Sequence, residues 1–423
     1  MTGTDALRQH ATPFYRYDRA TLVASWDSLR GCLPDAVDVL FSMKANPNVA
    51  MIGVLSALGS GAEVSSVAEL RTAMRVGVSS DDIVFLGPGK SDADLTECVV
   101  SGVLAVVVES LSELHRLDTI ARAMGTRQRV LLRINPAQAV AGARLAMGGK
   151  PRQFGIDEGQ ALAAAPGLTA LTGVDVAGVH VYLGTRILDA HVVVENTRHA
   201  LTISERLAAA TGQEPTVVDV GGGFGVPYFT GEQPLDLAAV AAGVAPLVEG
   251  YLARHPGTRV LLESGRFLSA PAGQYVVAVR DVKTSHGTRF AVTDGGTHHH
   301  MAAVGVGSPV RRNFPVTSLT ATGPTSPWTV TGVLCTPNDT IAKDVDLPDL
   351  APGDLLAVEM SGAYGPTASP GLFLSHGHPA EVMVDGDTHH VVRRADTPDD
   401  VVRQHVWHPE LAGSPTPRKE VHA

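Results

Sequence analysis

GAEVSSVAELRTAMRVGVSSDDIVFLG, residues 61–87, is one unit of the pattern that decides the fold. It holds a short apolar run (61–64), a longer amphipathic run (67–77) and a second apolar run (82–87). Near-continuous apolar strands separated by helices describe a parallel sheet covered on both faces. Working outward, the same alternation recurs. VDVLFSM (37–43) precedes this unit; VLAVVVE (103–109), RVLLRI (129–134), VAGVHVY (176–182), TVVDVG (216–221) and RVLLE (259–263) follow it. Helix-like stretches such as VVVENTRHALTISERLAAATG (192–212) lie between them. Eight such runs favour closure into a (β/α)8 barrel over 37–273; an open doubly wound sheet is the alternative.

Beyond Gly273 the alternation stops. QYVVAVRDVKT, RFAVTDGG, WTVTGVLC, DLLAVEM and AEVMVDG are strands with no helices between them. They predict a C-terminal antiparallel β domain built from 274–408 together with residues 1–36. The polar, Pro-rich end, 409–423, is expected to be a flexible tail.

The 423-residue chain is 44% hydrophobic and 18% charged, which suits a globular protein with a large core. Its net charge of −10 gives no electrostatic support for nucleic-acid binding. Three widely spaced cysteines make neither a disulfide framework nor a CxxC metal pattern. The N-terminus lacks the apolar core of a secretory signal, and no window of about 20 apolar residues predicts a membrane span. A cytoplasmic protein is the expectation.

In barrels the reactive groups lie where strands end. Here those ends carry Lys44; Glu63 with Ser65 and Ser66; Glu109; Arg133; His180, Tyr182 and Thr185; Gly221–Gly223; and Glu263–Arg266. The glycines and Ser264–Arg266 occupy the positions after strands seven and eight, where barrels commonly bind phosphate through backbone N–H groups. The glycine run is also open to a dinucleotide reading or a plain tight turn, though GGGFGVP lacks the third glycine of GxGxxG. A lysine closing a buried strand is costly unless paired or neutralised; its best use is a Schiff base with an aldehyde cofactor. Lys44 could otherwise be a salt-bridged or surface residue. Glu263 could hold a pyridine nitrogen protonated. Arg133 could pair with Glu263 or sit in a core ion pair.

FSMKANPN (41–48), GVHVYLGT (178–185), VVDVGGGFG (217–225), ESGR (263–266), GVLCTPND (332–339) and GAYG (362–365) occur in one order. In that order they resemble the alanine-racemase-like fold type of pyridoxal-phosphate (PLP) enzymes, within the diaminopimelate/ornithine/arginine decarboxylase group. The resemblance covers nearly the whole chain. It implies a PLP-dependent amino-acid decarboxylase in which Lys44 carries the cofactor and Glu263 meets its ring nitrogen. Gly222, Gly223, Gly265 and Arg266 would bind phosphate, helped by Thr185 and Tyr364. Glu63, Arg133 and Tyr182 complete the candidate cofactor set, and His180 faces the substrate. The resemblance also implies a homodimer with its active site at the interface. There Cys335 of one subunit would return a proton to the substrate carbon in the other, with Asp339 beside it.

Four departures bear on the substrate. Tyr182 stands where the family stacks a histidine; an aromatic ring can stack there equally well. Ser264 replaces a proline. Thr336 replaces an acidic residue that grips a distal ammonium. DGGTHHHMAAVGVGSPVRRNFP (294–315) replaces an Arg-Pro-x-x-Tyr segment. These changes resemble the specialised-metabolism branch, where some members decarboxylate an amino-acyl group on a carrier protein, as the glutamyl-carrier-protein decarboxylase of butirosin assembly does. Arg311 and Arg312 would then meet a carboxylate or a pantetheine phosphate. The alternatives are a diaminopimelate decarboxylase making L-lysine, an amino-acid racemase, and a non-catalytic PLP-binding homologue. Adjacent His298, His299 and His300 point to opposite faces of a strand, so no metal site is expected from them. His376 and His378 are read as structural or substrate-facing.

Overall fold

The computed structural model describes residues 7–136, 145–146, 153–301 and 312–412. Arg311 lies outside them. The chain opens with β1 (Phe14–Asp18) and α1 (Arg19–Gly31). Eight strands then alternate with helices: β2 (Val37–Ser42), β3 (Gly61–Val64), β4 (Ile83–Phe85), β5 (Ala105–Val108), β6 (Gln128–Asn135), β7 (Val174–His180), β8 (Val217–Asp219) and β9 (Arg259–Ser264). Every neighbouring pair is parallel, and β5 pairs with β6 to close the ring in the order β5-β4-β3-β2-β9-β8-β7-β6. The open doubly wound sheet is therefore excluded: it would leave two unpaired edges.

Alternation along each strand sorts the core into two layers. Leu40, Val84, Val107, Leu131, Ala177, Val217 and Leu261 fill the barrel interior as one cluster. Val39, Phe41, Val106, Val130, Leu132, Val260 and Leu262 face outward into a second cluster shared with the helices. Local signals start and stop those helices. Ser66 caps α2 (Val67–Arg75) by accepting from Glu69 N–H, and Leu70 and Ala73 are buried on its inner face. The helix Leu237–Arg254 has the length and apolarity of a membrane span. It belongs to the outer ring, with Val240, Val244, Val248 and Tyr251 buried at helical spacing.

The second domain follows β9 through residues 266–272. Its sheet contains β1 and the strands from β10 (Gly273–Ser285) to the last, Thr388–Arg393. The sheet is mostly antiparallel, with two parallel pairings: β1 with Ala380–Asp385, and Thr288–Thr293 with Thr325–Thr331. β1 thus lies in the second sheet, and the buried face of α1 (Leu22, Trp26, Leu29) joins the large core cluster that β1 and the barrel helices share.

Candidate active site

The apolar interior of the barrel ends abruptly at the C-terminal ends of the strands. Two residues beyond Leu40, Val107, Leu131, Val217 and Leu261, on the same inward face, stand Ser42, Glu109, Arg133, Asp219 and Glu263, all buried. Glu63 and His180 lie in this polar layer too, at 0% and 1% exposure. So much buried charge is tolerable only where opposite charges face each other.

The pairing is specific. Lys44 follows β2 in a single 3₁₀ turn, and its Nζ lies 3.0 Å from Oε2 of Glu63. Burial opposes the ammonium form of Lys44, but the carboxylates of Glu63 and Glu263 outweigh it and hold the amine above its ordinary value. His180 Nε2 lies 3.0 Å from Oε1 of Glu263. Burial pushes Glu263 up, but His180, Lys44 and Arg133 outweigh it and bring the carboxyl down to about 2. Arg133 itself bonds Glu109 at 2.7 Å, so the core ion pair is the arrangement found, rather than a direct bond to Glu263. The second oxygen of Glu109 accepts from Gly155 N–H.

Beside these groups lies a pocket lined by Ser42, Lys44, Tyr182, Thr185, Gly223, Phe224, Glu263, Gly265, Arg266 and Tyr364. Eight of the expected residues are therefore together: Lys44, Tyr182, Thr185, Gly223, Glu263, Gly265, Arg266 and Tyr364. The Lys44 ammonium sits 5.6 Å from the centre of the Tyr182 ring. The glycine loop is sterically obligatory. A Cβ on Gly222 would lie 1.8 Å from the Glu263 carbonyl oxygen, and one on Gly223, at φ +94°, 2.0 Å from that of Gly184. The N–H groups of Gly222, Gly223, Gly265 and Arg266 meet no acceptor among the described residues. Arg266 donates to Tyr228 Oη at 3.0 Å and stacks 4.6 Å from the Tyr364 ring, keeping a guanidinium charge at the same end. Free N–H groups and a fixed cation form an anion cradle.

Tyr364 enters from the second domain. Its N–H bonds the Ala45 carbonyl at 2.7 Å, and its backbone is left-handed, at φ +54°. Asn46 Nδ2 donates to the Gly362 carbonyl at 3.0 Å, and Asn48 Nδ2 to Glu381 Oε2 at 2.9 Å. The two asparagines of FSMKANPN thus clamp the lysine loop to the β domain. Sequence reasoning assigned them no part; nothing local marks which carbonyl an amide will meet. Asp219 was also passed over, although the two-residue step from Val217 marks it as facing inward.

Other expected residues lie elsewhere in the single chain. Cys335 is exposed and, with Thr336, does not line the cavity. Asp339 is 3% exposed, and its oxygens accept from Thr297 N–H at 2.7 Å, Thr297 Oγ1 at 3.0 Å and Leu334 N–H at 2.7 Å. A carboxylate so engaged holds the Cys335 loop in shape. Arg312 is exposed, with its guanidinium 5.4 Å from the Phe229 ring. His298, His299 and His300 are buried, and His299 and His300 bond separate partners: Tyr275 and the Gly377 carbonyl for His299, Ser361 for His300.

Residues 19–270 match the family described as pyridoxal-dependent decarboxylase, pyridoxal binding domain. The chain is 36% identical over 405 residues to the L-glutamyl-(BtrI acyl-carrier protein) decarboxylase of Niallia circulans, covering 94% of this chain and 95% of that protein. It is 30% identical over 394 residues to the diaminopimelate decarboxylase of Vibrio cholerae, covering 93% and 92%. Among solved structures, the diaminopimelate decarboxylase of Helicobacter pylori complexed with L-lysine superposes with a TM-score of 0.86 at 28% identity, over 94% of this chain and 98% of that one.

Proposed function

The chain belongs to the pyridoxal-dependent decarboxylase family, and we propose that it removes the carboxylate of an amino-acyl group carried on a protein, in a specialised biosynthetic pathway. The observation that carries this reading is the near-complete alignment, at 36% identity, with a decarboxylase whose substrate is a glutamyl carrier protein. Thr336, in place of an acid that would grip a distal ammonium, argues in the same direction and away from diaminopimelate.

The residues present fit the cofactor. Lys44 would hold its aldehyde carbon, and the N–H groups of Gly222, Gly223, Gly265 and Arg266 its phosphate. The ionised Glu263 would hold its ring nitrogen protonated, and Tyr182 would lie on its face. When bound, pyridoxal phosphate supplies an electron sink conjugated to the substrate Cα. The chain supplies the rest. Glu63, at 3.0 Å from Lys44 Nζ, is the contacting base able to accept a proton from that amine, which must be neutral to act as a nucleophile. His180 fixes the orientation of Glu263.

The working unit is proposed to be a cytoplasmic homodimer. Cys335 is exposed and outside its own chain's cavity, so a second copy can receive it and take the proton-returning role. Arg311 and Arg312 would face the arm or carboxylate of the substrate.

The test offers the holoenzyme free amino acids and their carrier-tethered forms and measures CO2 loss by mass spectrometry, with Lys44→Ala as control. A higher kcat/KM for a tethered form is the expected result. Equal or better turnover of a free amino acid, diaminopimelate included, would remove the carrier from the reading.

A further inference from the structure

Asp219 ends β8, between the strand carrying His180 and the strand carrying Glu263; it registers with His180 on β7 and with Leu261 on β9. It is completely buried. Its Oδ1 accepts from Gly221 N–H at 2.8 Å. Among the described residues its Oδ2 meets no hydrogen-bond partner, and neither does Glu263 Oε2. One polar atom from each of His180, Asp219 and Glu263 lies within 4.8 Å of the other two. Two carboxyl groups this close, both shut away from water, cannot both be ionised without large repulsion.

The surrounding groups decide which one keeps the charge. Glu263 has His180 in contact, and Lys44 and Arg133 nearby. Asp219 has Glu263 and Glu63 as its anionic neighbours and Lys44 as its cationic one; among the described residues its one hydrogen bond comes from the Gly221 amide. Burial, followed by the Glu263 charge, raises Asp219 well above the ordinary aspartate range.

We propose that Asp219 is a neutral carboxylic acid at physiological pH and a positioning residue for the cofactor. Its proton lets Glu263 remain ionised beside it, and its Oδ1 ties that charge to the glycine loop. One side chain therefore links both ends of the cofactor site, the ring carboxylate and the phosphate cradle. The role lies in the charge state of the apoprotein's own groups, so it survives whichever substrate the enzyme takes.

Infrared difference spectroscopy on the holoenzyme tests it. The difference between the parent protein and Asp219→Asn at neutral pH should contain the carbonyl band of a protonated carboxylic acid, lost in the variant. In Glu263→Gln the repulsion is gone, so Asp219 should ionise at lower pH and the band should titrate away earlier. Stability gives a second readout with a definite sign. The native state keeps a proton that the unfolded chain releases, so this group costs stability as pH rises above the ordinary aspartate value. Asp219→Asn should gain on the parent protein over that range. Absence of the band at neutral pH overturns the proposal, as does a band that Glu263→Gln leaves unmoved.

Discussion

The polar layer of the barrel and the histidine run of the β domain are both buried clusters of titratable groups, and burial has opposite consequences in them. In the barrel, Glu263 is driven down to about 2 because cations face it. In the β domain, His298 falls to about 4, and His299 and His300 to about 3, chiefly by desolvation, which the Asp339 charge opposes only at His298. One cluster is charged and poised for chemistry. The other is neutral and acts as packing: His300 lies 5.8 Å from the Tyr275 ring and accepts from or donates to Ser361 Oγ at 2.8 Å. Residue type alone does not make a site; the opposing charge does.

The sharpest way to break this contrast is Lys44→Ala, which should reduce CO2 release to background. Retained turnover would mean that the barrel cluster is not the reactive one. Next is Glu263→Gln, which keeps the shape and removes the charge. We expect kcat to fall on the order of 10²-fold, the scale of losing one preorganised electrostatic partner. A fall of less than threefold would put the ring nitrogen elsewhere.

The two regions should also separate in acid. A histidine depressed below its unfolded value contributes stability that is full above about 6.5 and is lost as pH falls toward its folded value. A depressed carboxyl contributes stability that is full above its unfolded value and is lost further down. The β domain should therefore weaken between pH 6.5 and about 4, and the barrel layer only as Glu263 approaches about 2. Hydrogen exchange resolved by peptide, from pH 7 to 4, would show it; simultaneous opening of both regions would contradict it. The smallest effect expected is that of His300→Phe. Ser361 still donates to the Val358 carbonyl at 2.7 Å, so the cost should be about 1 kcal/mol in urea unfolding. Loss of CO2 release in a folded His300→Phe protein would make the histidine run part of the active site.

The strand-end positions of Lys44, Glu263 and the glycine loop were legible in the sequence. A β-strand alternates with period two, and a barrel puts its working groups at one end. That Lys44 pairs with Glu63 was not legible. It depends on β2 and β3 lying side by side in a register that sets Ser42 opposite Glu63. Arg133 shows the same limit: both of its readings were open until ring closure between β5 and β6 brought Glu109 within 2.7 Å. The histidine run was visible in the sequence, but the partners of His299 and His300 were not: Tyr275, the Gly377 carbonyl and Ser361 lie tens of positions away in the chain.

By itself, then, the sequence determined the alternation of strands and helices, the change to a strand-rich pattern after Gly273, and the residue types at each strand end. Those properties arise from neighbours along the chain. The tertiary structure alone decided which charge faces which, that Tyr364, Gly362 and Glu381 reach across from the β domain to the lysine loop, and that Cys335 stands outside its own chain's cavity. The reason is physical. A buried charge takes its state from groups within a few ångströms, and closing a barrel brings together residues hundreds of positions apart in the chain.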